Sequence, residues 1–159
     1  MPLAAPRSLE QRIADTRALL TRPAVDAWVA TASLSSGDGR AQPYLLPLSF
    51  AWIDERAIVA VESNSRTARN LAEHGMARVG LGPTRDIVLL DCVVERVMDV
   101  ADAPARISEG YAAQADWDPR EDGGRYVYVV LRPERIQAWR ESNELRGRVI
   151  MRDGAWANG

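Results

Sequence analysis

The hydrophobic positions of this 159-residue chain change period along its length. In "SLEQRIADTRALLTRP", residues 8–23, Leu9, Ile13, Thr16 and Leu20 recur at helical spacing; Ser8 with Gln11 reads as a capping box and Pro23 as the stop. This predicts a helix that covers another layer. From Val25 the period shortens to two. "VDAWVATASL", the turn "SSGDGR", "AQPYLLPLSFAWI", the turn "DER" and "AIVAVES" read as meandering antiparallel strands. A short helix over Arg66 to His74 follows, with Ala68, Leu71 and Ala72 expected inward and Arg66, Arg69, Asn70 and Glu73 outward. "MARVGLG" and "DIVLLDCVVERVMDV" return to strand, the second placing Val88, Leu90, Cys92 and Val94 on one face. "DAPARISEGYAAQADW" is a helix in which Asp102 is the expected N-cap and Pro104 lies in the first turn. "RYVYVVL" is apolar on both faces, which predicts a core on one side and a second cover, such as another subunit, on the other. "RIQAW" continues extended, and "RVIMRDGAW" reads as a terminal hairpin around Asp153-Gly154.

Six or so strands in hairpin order with two or three helices predict a mainly β, α+β architecture: a closed antiparallel barrel with flanking helices, as one domain over 1–159. Composition narrows the function. Hydrophobic residues make up 47% and charged residues 26%, ordinary for a globular domain, and the net charge of −2 with interspersed signs argues against a nucleic-acid face or a polybasic membrane patch. The apolar runs are strand-sized and the N-terminal stretch has no signal-like core, so the expectation is a cytoplasmic protein. All 20 basic residues are arginine, which excludes a Schiff-base or phosphate-loop lysine. A single cysteine, Cys92, and a single histidine, His74, exclude an intrachain disulfide and argue against a zinc site or a Cys–His catalytic pair. Cys92 fits a small core residue, and His74 a helix C-terminus before Gly75.

The stretch that concentrates chemistry is "SNSRTARNL", residues 63–71. With the helix starting near Ser65, the first-turn N–H groups lack intrahelical partners and carry partial positive charge, so that end attracts an anion. Arg66 and Arg69 share a face, and Ser63, Ser65 and Thr67 add hydroxyl donors; together they form a candidate phosphate cradle. The plainer alternative is an N-cap at Ser65 with solvated arginines. Strand alternation turns Glu62 away from the face of Val61 and Ser63.

The order "WVATASL…GRAQPYLLPLSFAW…IVAVESNSRTARNLAEHGMARVGLGPTRDIVLLD", with "AWRESNELRGRVIMRDGAW" near the end, resembles the pyridoxamine 5'-phosphate oxidase-like FMN-binding split barrels, a superfamily that includes deazaflavin-dependent reductases. The resemblance implies a six-stranded split barrel acting as a homodimer, with two flavin sites in grooves between subunits. Under it Leu48, Ser49 and Phe50 line the flavin ring, Val61 and Ser63 flank the phosphate side, and Ser65, Arg66, Thr67 and Arg69 hold the phosphate. Arg85 and Asp86 reach over from the partner subunit, and Trp139 lies near the ring. Many relatives carry a hydroxyl residue where Val61 stands and a lysine in the cradle; this chain has neither. The oxidase's own substrate-phosphate pattern is also absent, so pyridoxal phosphate synthesis is not implied.

The implied activity is hydride transfer by FMN, or alternatively by the deazaflavin coenzyme F420, to a small acceptor, with no catalytic residue assigned. Tyr44, Tyr126 and Tyr128 are candidate proton donors, although strand aromatics are more often packing. The alternatives are a non-catalytic flavin- or haem-binding protein on the same barrel and an interaction protein with an empty groove. No metal site is expected.

Overall fold

The computed structural model describes residues 1–158. Strands β1 (Asp26–Leu34), β2 (Ala41–Ile53), β3 (Arg56–Glu62), β4 (Met76–Leu81), β5 (Ile87–Asp99) and β6 (Tyr126–Trp139) pair antiparallel in the order β3-β2-β1-β4-β5-β6, and β3 pairs back onto β6. That last pairing closes a six-stranded barrel. A hairpin of β7 (Val149–Arg152) and β8 (Ala155–Trp156) extends the sheet beyond β6, turning through Asp153 and Gly154, both at positive φ. The expected strands are therefore all present.

Among the described residues, three α-helices decorate the barrel. Helix α1 (Leu9–Leu20) begins at Ser8, whose hydroxyl accepts the Gln11 N–H at 3.1 Å; the Gln11 side chain does not return to Ser8 but donates to Asp15 at 2.7 Å, so the expected box is half formed. Helix α2 (Arg66–His74) is capped by Ser65, which accepts from the Ala68 N–H at 3.1 Å, and ends on Gly75 in the left-handed region at φ 68°. Its inward face differs from expectation: Thr67, Asn70 and Leu71 are buried while Ala72 is exposed. Asn70 is inside because α2 lies against β1, where the amide of Asn70 donates to the Thr31 hydroxyl at 3.0 Å. Helix α3 (Ala105–Ala115) starts later than expected. Asp99, not Asp102, caps a 3₁₀ turn over Val100–Asp102, and α3 then begins after Pro104 with no side-chain cap.

Two apolar layers result. The barrel interior holds Val29, Phe50, Val59, Leu71, Val79, Leu90, Leu131, Ile136 and Ile150. A second cluster, with Ala51, Ile58, Ala60, Tyr111, Ala115, Tyr128 and Val130, sits on the outer face of β2, β3 and β6. Helix α3 thus supplies the second cover that "RYVYVVL" demanded. Among the described residues, no helix is long and apolar enough to cross a membrane.

Candidate functional site

The register of β2 against β3 creates the site. Phe50 pairs with Val59, Ala51 with Ile58, Trp52 with Ala57 and Ile53 with Arg56, and there the pairing ends. Towards its N-terminus β2 follows β1, with Ser49 opposite Asp26 and Leu46 opposite Val29. Beyond Val59, β3 follows β6, with Ala60 opposite Tyr128 and Glu62 opposite Tyr126. The two strands part like a zip opened at Phe50. Between them lies a groove of about 390 Å³ lined by Leu46, Pro47, Leu48 and Ser49 of β2, Ala60, Val61 and Glu62 of β3, Ser65 and Thr67 of α2, and the rings of Trp117 and Tyr126. This falls in the size range of small-molecule sites.

Helix α2 closes one end. Its first-turn N–H groups, apart from those of Ala68 and Arg69, which bond Ser65, have no intrahelical carbonyl. Thr67 is 1% exposed, lines the groove, and its hydroxyl has no hydrogen-bond partner. A buried, unpaired hydroxyl costs about 1–3 kcal/mol. Thr67 sits beside the start of α2. Glu62 is the opposing feature. Strand alternation turns it from the face of Val61 and Ser63, yet the residue lines the groove, where β3 ends and the β3–α2 turn begins.

The expected site residues divide. Leu48, Ser49, Val61, Ser65 and Thr67 are gathered on the groove. Phe50 faces the barrel interior and is fully buried. Ser63 is exposed, its N–H donating to the Arg125 carbonyl at 2.8 Å. Arg66 turns away from the groove: its guanidinium lies 4.8 Å from the centre of the Tyr44 ring and donates to Gln42 at 3.4 Å. Arg69 is exposed and donates to the Asn64 carbonyl. Arg85 pairs with Glu141, and Asp86 with Arg140 at 3.1 Å and Arg7 at 3.3 Å. Trp139 stands at the end of β6 opposite Tyr126, with Arg148 5.6 Å over its ring. Of the candidate tyrosines, Tyr126 lines the groove, Tyr44 lies under Arg66, and Tyr128 is wholly buried behind the groove with its hydroxyl unpaired.

Leu46, Pro47, Ala60, Glu62 and Trp117 are groove residues that periodicity did not mark. Leu46 was findable, two places from Leu48 on the same strand. Trp117 was not, since it follows α3 across the loop that leads to β6. Among the described residues, no three His, Cys, Asp or Glu side chains are grouped to hold a metal ion. Cys92 is buried, and desolvation pushes its thiol up to about 12, so it is inert packing.

No family model matches the chain, and no curated protein sequence matches it. Solved structures do. An F420 reductase superposes with a TM-score of 0.56 at 20% identity, covering 76% of this chain and 94% of its own. A pyridoxamine 5'-phosphate oxidase-related, FMN-binding protein of Nostoc punctiforme gives 0.54 at 14% identity over 94% of this chain and 92% of its own. A haem-binding protein from Mycobacterium smegmatis gives 0.58 at 19% identity over 96% of this chain and 60% of its own. The chain therefore has the fold of the pyridoxamine 5'-phosphate oxidase-like split barrels, as the sequence resemblance implied. Proteins named for three different ligands share that architecture, so fold alone does not choose among them.

Proposed function

We propose that the groove between β2 and β3 holds a flavin-type cofactor, FMN or the deazaflavin F420, and that the protein is an oxidoreductase acting on a small acceptor. The observation that carries this reading is Thr67: a buried hydroxyl without a partner, at the start of a capped helix, on a groove whose long walls are mostly apolar. Such a site suits a flat apolar ring ending in an anion. The cofactor supplies the hydride chemistry when bound. Thr67, Ser65 and the α2 N–H groups would hold the phosphate, Leu46, Pro47, Leu48 and Val61 would exclude water from the ring, and Trp117 would wall the groove. Tyr126 is the one hydroxyl on the aromatic side that could deliver a proton to an acceptor.

Arg66 is adjacent to the groove's Ser65 and is held by weak contacts. Exchanging an exposed cation–π contact of about 0.5–1 kcal/mol for a charge-assisted bond of about 1.5–3 kcal/mol favours its turning to a bound phosphate.

Completion of the site by a second copy is part of the same proposal. Trp28, Ala30 and Ala32 of β1 alternate onto one face beside Leu45 and Pro47 of β2 and Arg78 of β4, and Met76 lies next along β4. Among the described residues no helix covers this face: Trp28, Leu45 and Met76 are 55%, 59% and 63% exposed. Pro47 also borders the groove, so a partner seated on this sheet would reach it. Arg85, Asp86 and Trp139 are not among the residues that line the groove, and such a partner would be their route to a bound flavin.

A non-catalytic binder is the second reading, favoured by the scarcity of ionisable groups: Glu62 and Tyr126 are the ones on the groove. Titration decides. FMN or F420 fluorescence is expected to be quenched at micromolar protein, with riboflavin bound more weakly than FMN; quenching of neither overturns the cofactor reading. Binding without reduction of any enone or quinone by the reduced cofactor would select the binder.

A further inference from the structure

The strands part at Phe50 for a reason visible in the second apolar cluster. Continuing the β2–β3 register by one rung would place Ser49 opposite Ala60, where the Ala60 N–H and the Ser49 carbonyl would complete a ladder bond. The Tyr111 hydroxyl stands in that place instead. It accepts from the Ala60 N–H at 3.3 Å and donates to the Ser49 carbonyl at 3.1 Å. One side-chain hydroxyl thus takes both halves of a backbone bond and keeps the two backbones a hydroxyl's width further apart.

We infer that Tyr111 is a wedge that holds the split open, a positioning residue that gives the groove its width. The inference rests on the groove being the ligand site. Tyr111 is fully buried, and burial raises its hydroxyl well above the ordinary tyrosine range, so it stays protonated and keeps donating to Ser49. Its ring is fixed by Tyr128, centroids 5.2 Å apart, and meets Trp117 edge-on at 6.3 Å; Trp117 in turn meets Tyr126 at 5.2 Å. The wedge and the aromatic wall of the groove are one packed unit. Gly110 eases the close packing of α3 on β2: a Cβ there would lie 2.9 Å from the Ile53 Cδ1, which would have to swing aside.

The test is Tyr111→Phe, which keeps the ring and removes the wedge atom. In ligand-free crystals of the variant, Ala60 N and Ser49 O should close to about 2.9 Å, an ordinary ladder bond. Affinity for FMN and for riboflavin should fall together by at least tenfold, because the lost width concerns the ring; a variant that merely loosened the phosphate end would weaken FMN alone. Strands that stay apart in the variant overturn the inference, as does closure that leaves both affinities unchanged. If Tyr111→Phe does not fold, Tyr111→Met, also apolar and lacking the hydroxyl, undergoes both measurements. Should the unaltered protein bind neither FMN nor F420, the functional reading fails while the crystallographic distance still decides the wedge.

Discussion

Arg7 and Glu144, 137 residues apart in the chain, form a two-pronged ion pair: Nε donates to Oε1 at 3.0 Å and Nη2 to Oε2 at 2.8 Å. Both side chains are nearly excluded from solvent. The carboxylate also accepts the backbone N–H of Arg7 at 2.9 Å and of Arg140 at 2.8 Å. The approach to α1 is thereby fastened to the segment that follows β6.

This pair predicts an acid-sensitive seam. The Arg7 hydrogen bonds hold the Glu144 carboxyl down to about 2 from an ordinary 4.5. Because the folded value is the lower one, the stability from this pair is fully present above about 4.5 and is lost as pH falls towards about 2. Urea midpoints should drop by the equivalent of a few kcal/mol across that window. Glu144→Gln should flatten the drop and cost stability at pH 7, since the nearly buried Arg7 loses its two-pronged carboxylate and keeps only Asp15 at 2.9 Å and Asp86 at 3.3 Å.

The Thr67 hydroxyl gives the sharpest ligand prediction. Thr67→Val keeps the shape, removes an unpaired buried donor and should leave unligated stability unchanged or slightly higher. FMN affinity should fall roughly tenfold, about the worth of one hydrogen bond to a charged oxygen, while riboflavin affinity stays put. Parallel quenching titrations measure both; equal loss for the two ligands would remove Thr67 from the phosphate end.

Glu62 at the groove rim should act in the opposite sense. Glu62→Gln removes a negative charge beside the cradle and should tighten FMN more than riboflavin, with the gain shrinking as salt is raised. Isothermal titration at two ionic strengths checks the sign.

For the uncovered face, Met76→Glu or Trp28→Arg should yield a monomer if a second copy seats there. Sedimentation of the unaltered protein as a monomer at tens of micromolar would remove that part of the proposal.

The Asn70–Thr31 bond is a core feature open to a double-mutant cycle. Asn70→Ala and Thr31→Val should each cost about 1–3 kcal/mol by stranding a buried partner, and the double variant less than their sum.

Much of this architecture was legible because β-strands and caps are written locally. Ser65, Gly75 and the alternation of Val88, Leu90 and Cys92 announce their roles within a few residues of themselves. What escaped was decided by distant neighbours. Asn70 reads as an outward polar residue until Thr31, 39 positions earlier, supplies its partner. The cover over Tyr128 could be assigned to another subunit only while the placement of α3 was unknown. The groove shows the same limit. Ser65 and Thr67 are legible in their own segment, and Leu48, Ser49 and Val61 only through the family resemblance, whereas Glu62 and Trp117 were brought to the groove by the end of a strand pairing and by a loop crossing. Arg66 and Arg69 share a helix face as their spacing required, but Tyr44 and Asn64 hold them where they are.

The β3–β6 pairing joins residues 57–62 to 126–131, so the circle of strands cannot be completed during synthesis until residue 131 has emerged from the ribosome. Until then β3 presents a bare, wholly apolar edge, Ala57 to Val61, with nothing to zip against. Nascent chains stalled before that point should be the species that chaperones capture and that self-associate, and the finished barrel should fold slowly for its size, as chains dominated by distant strand pairings do.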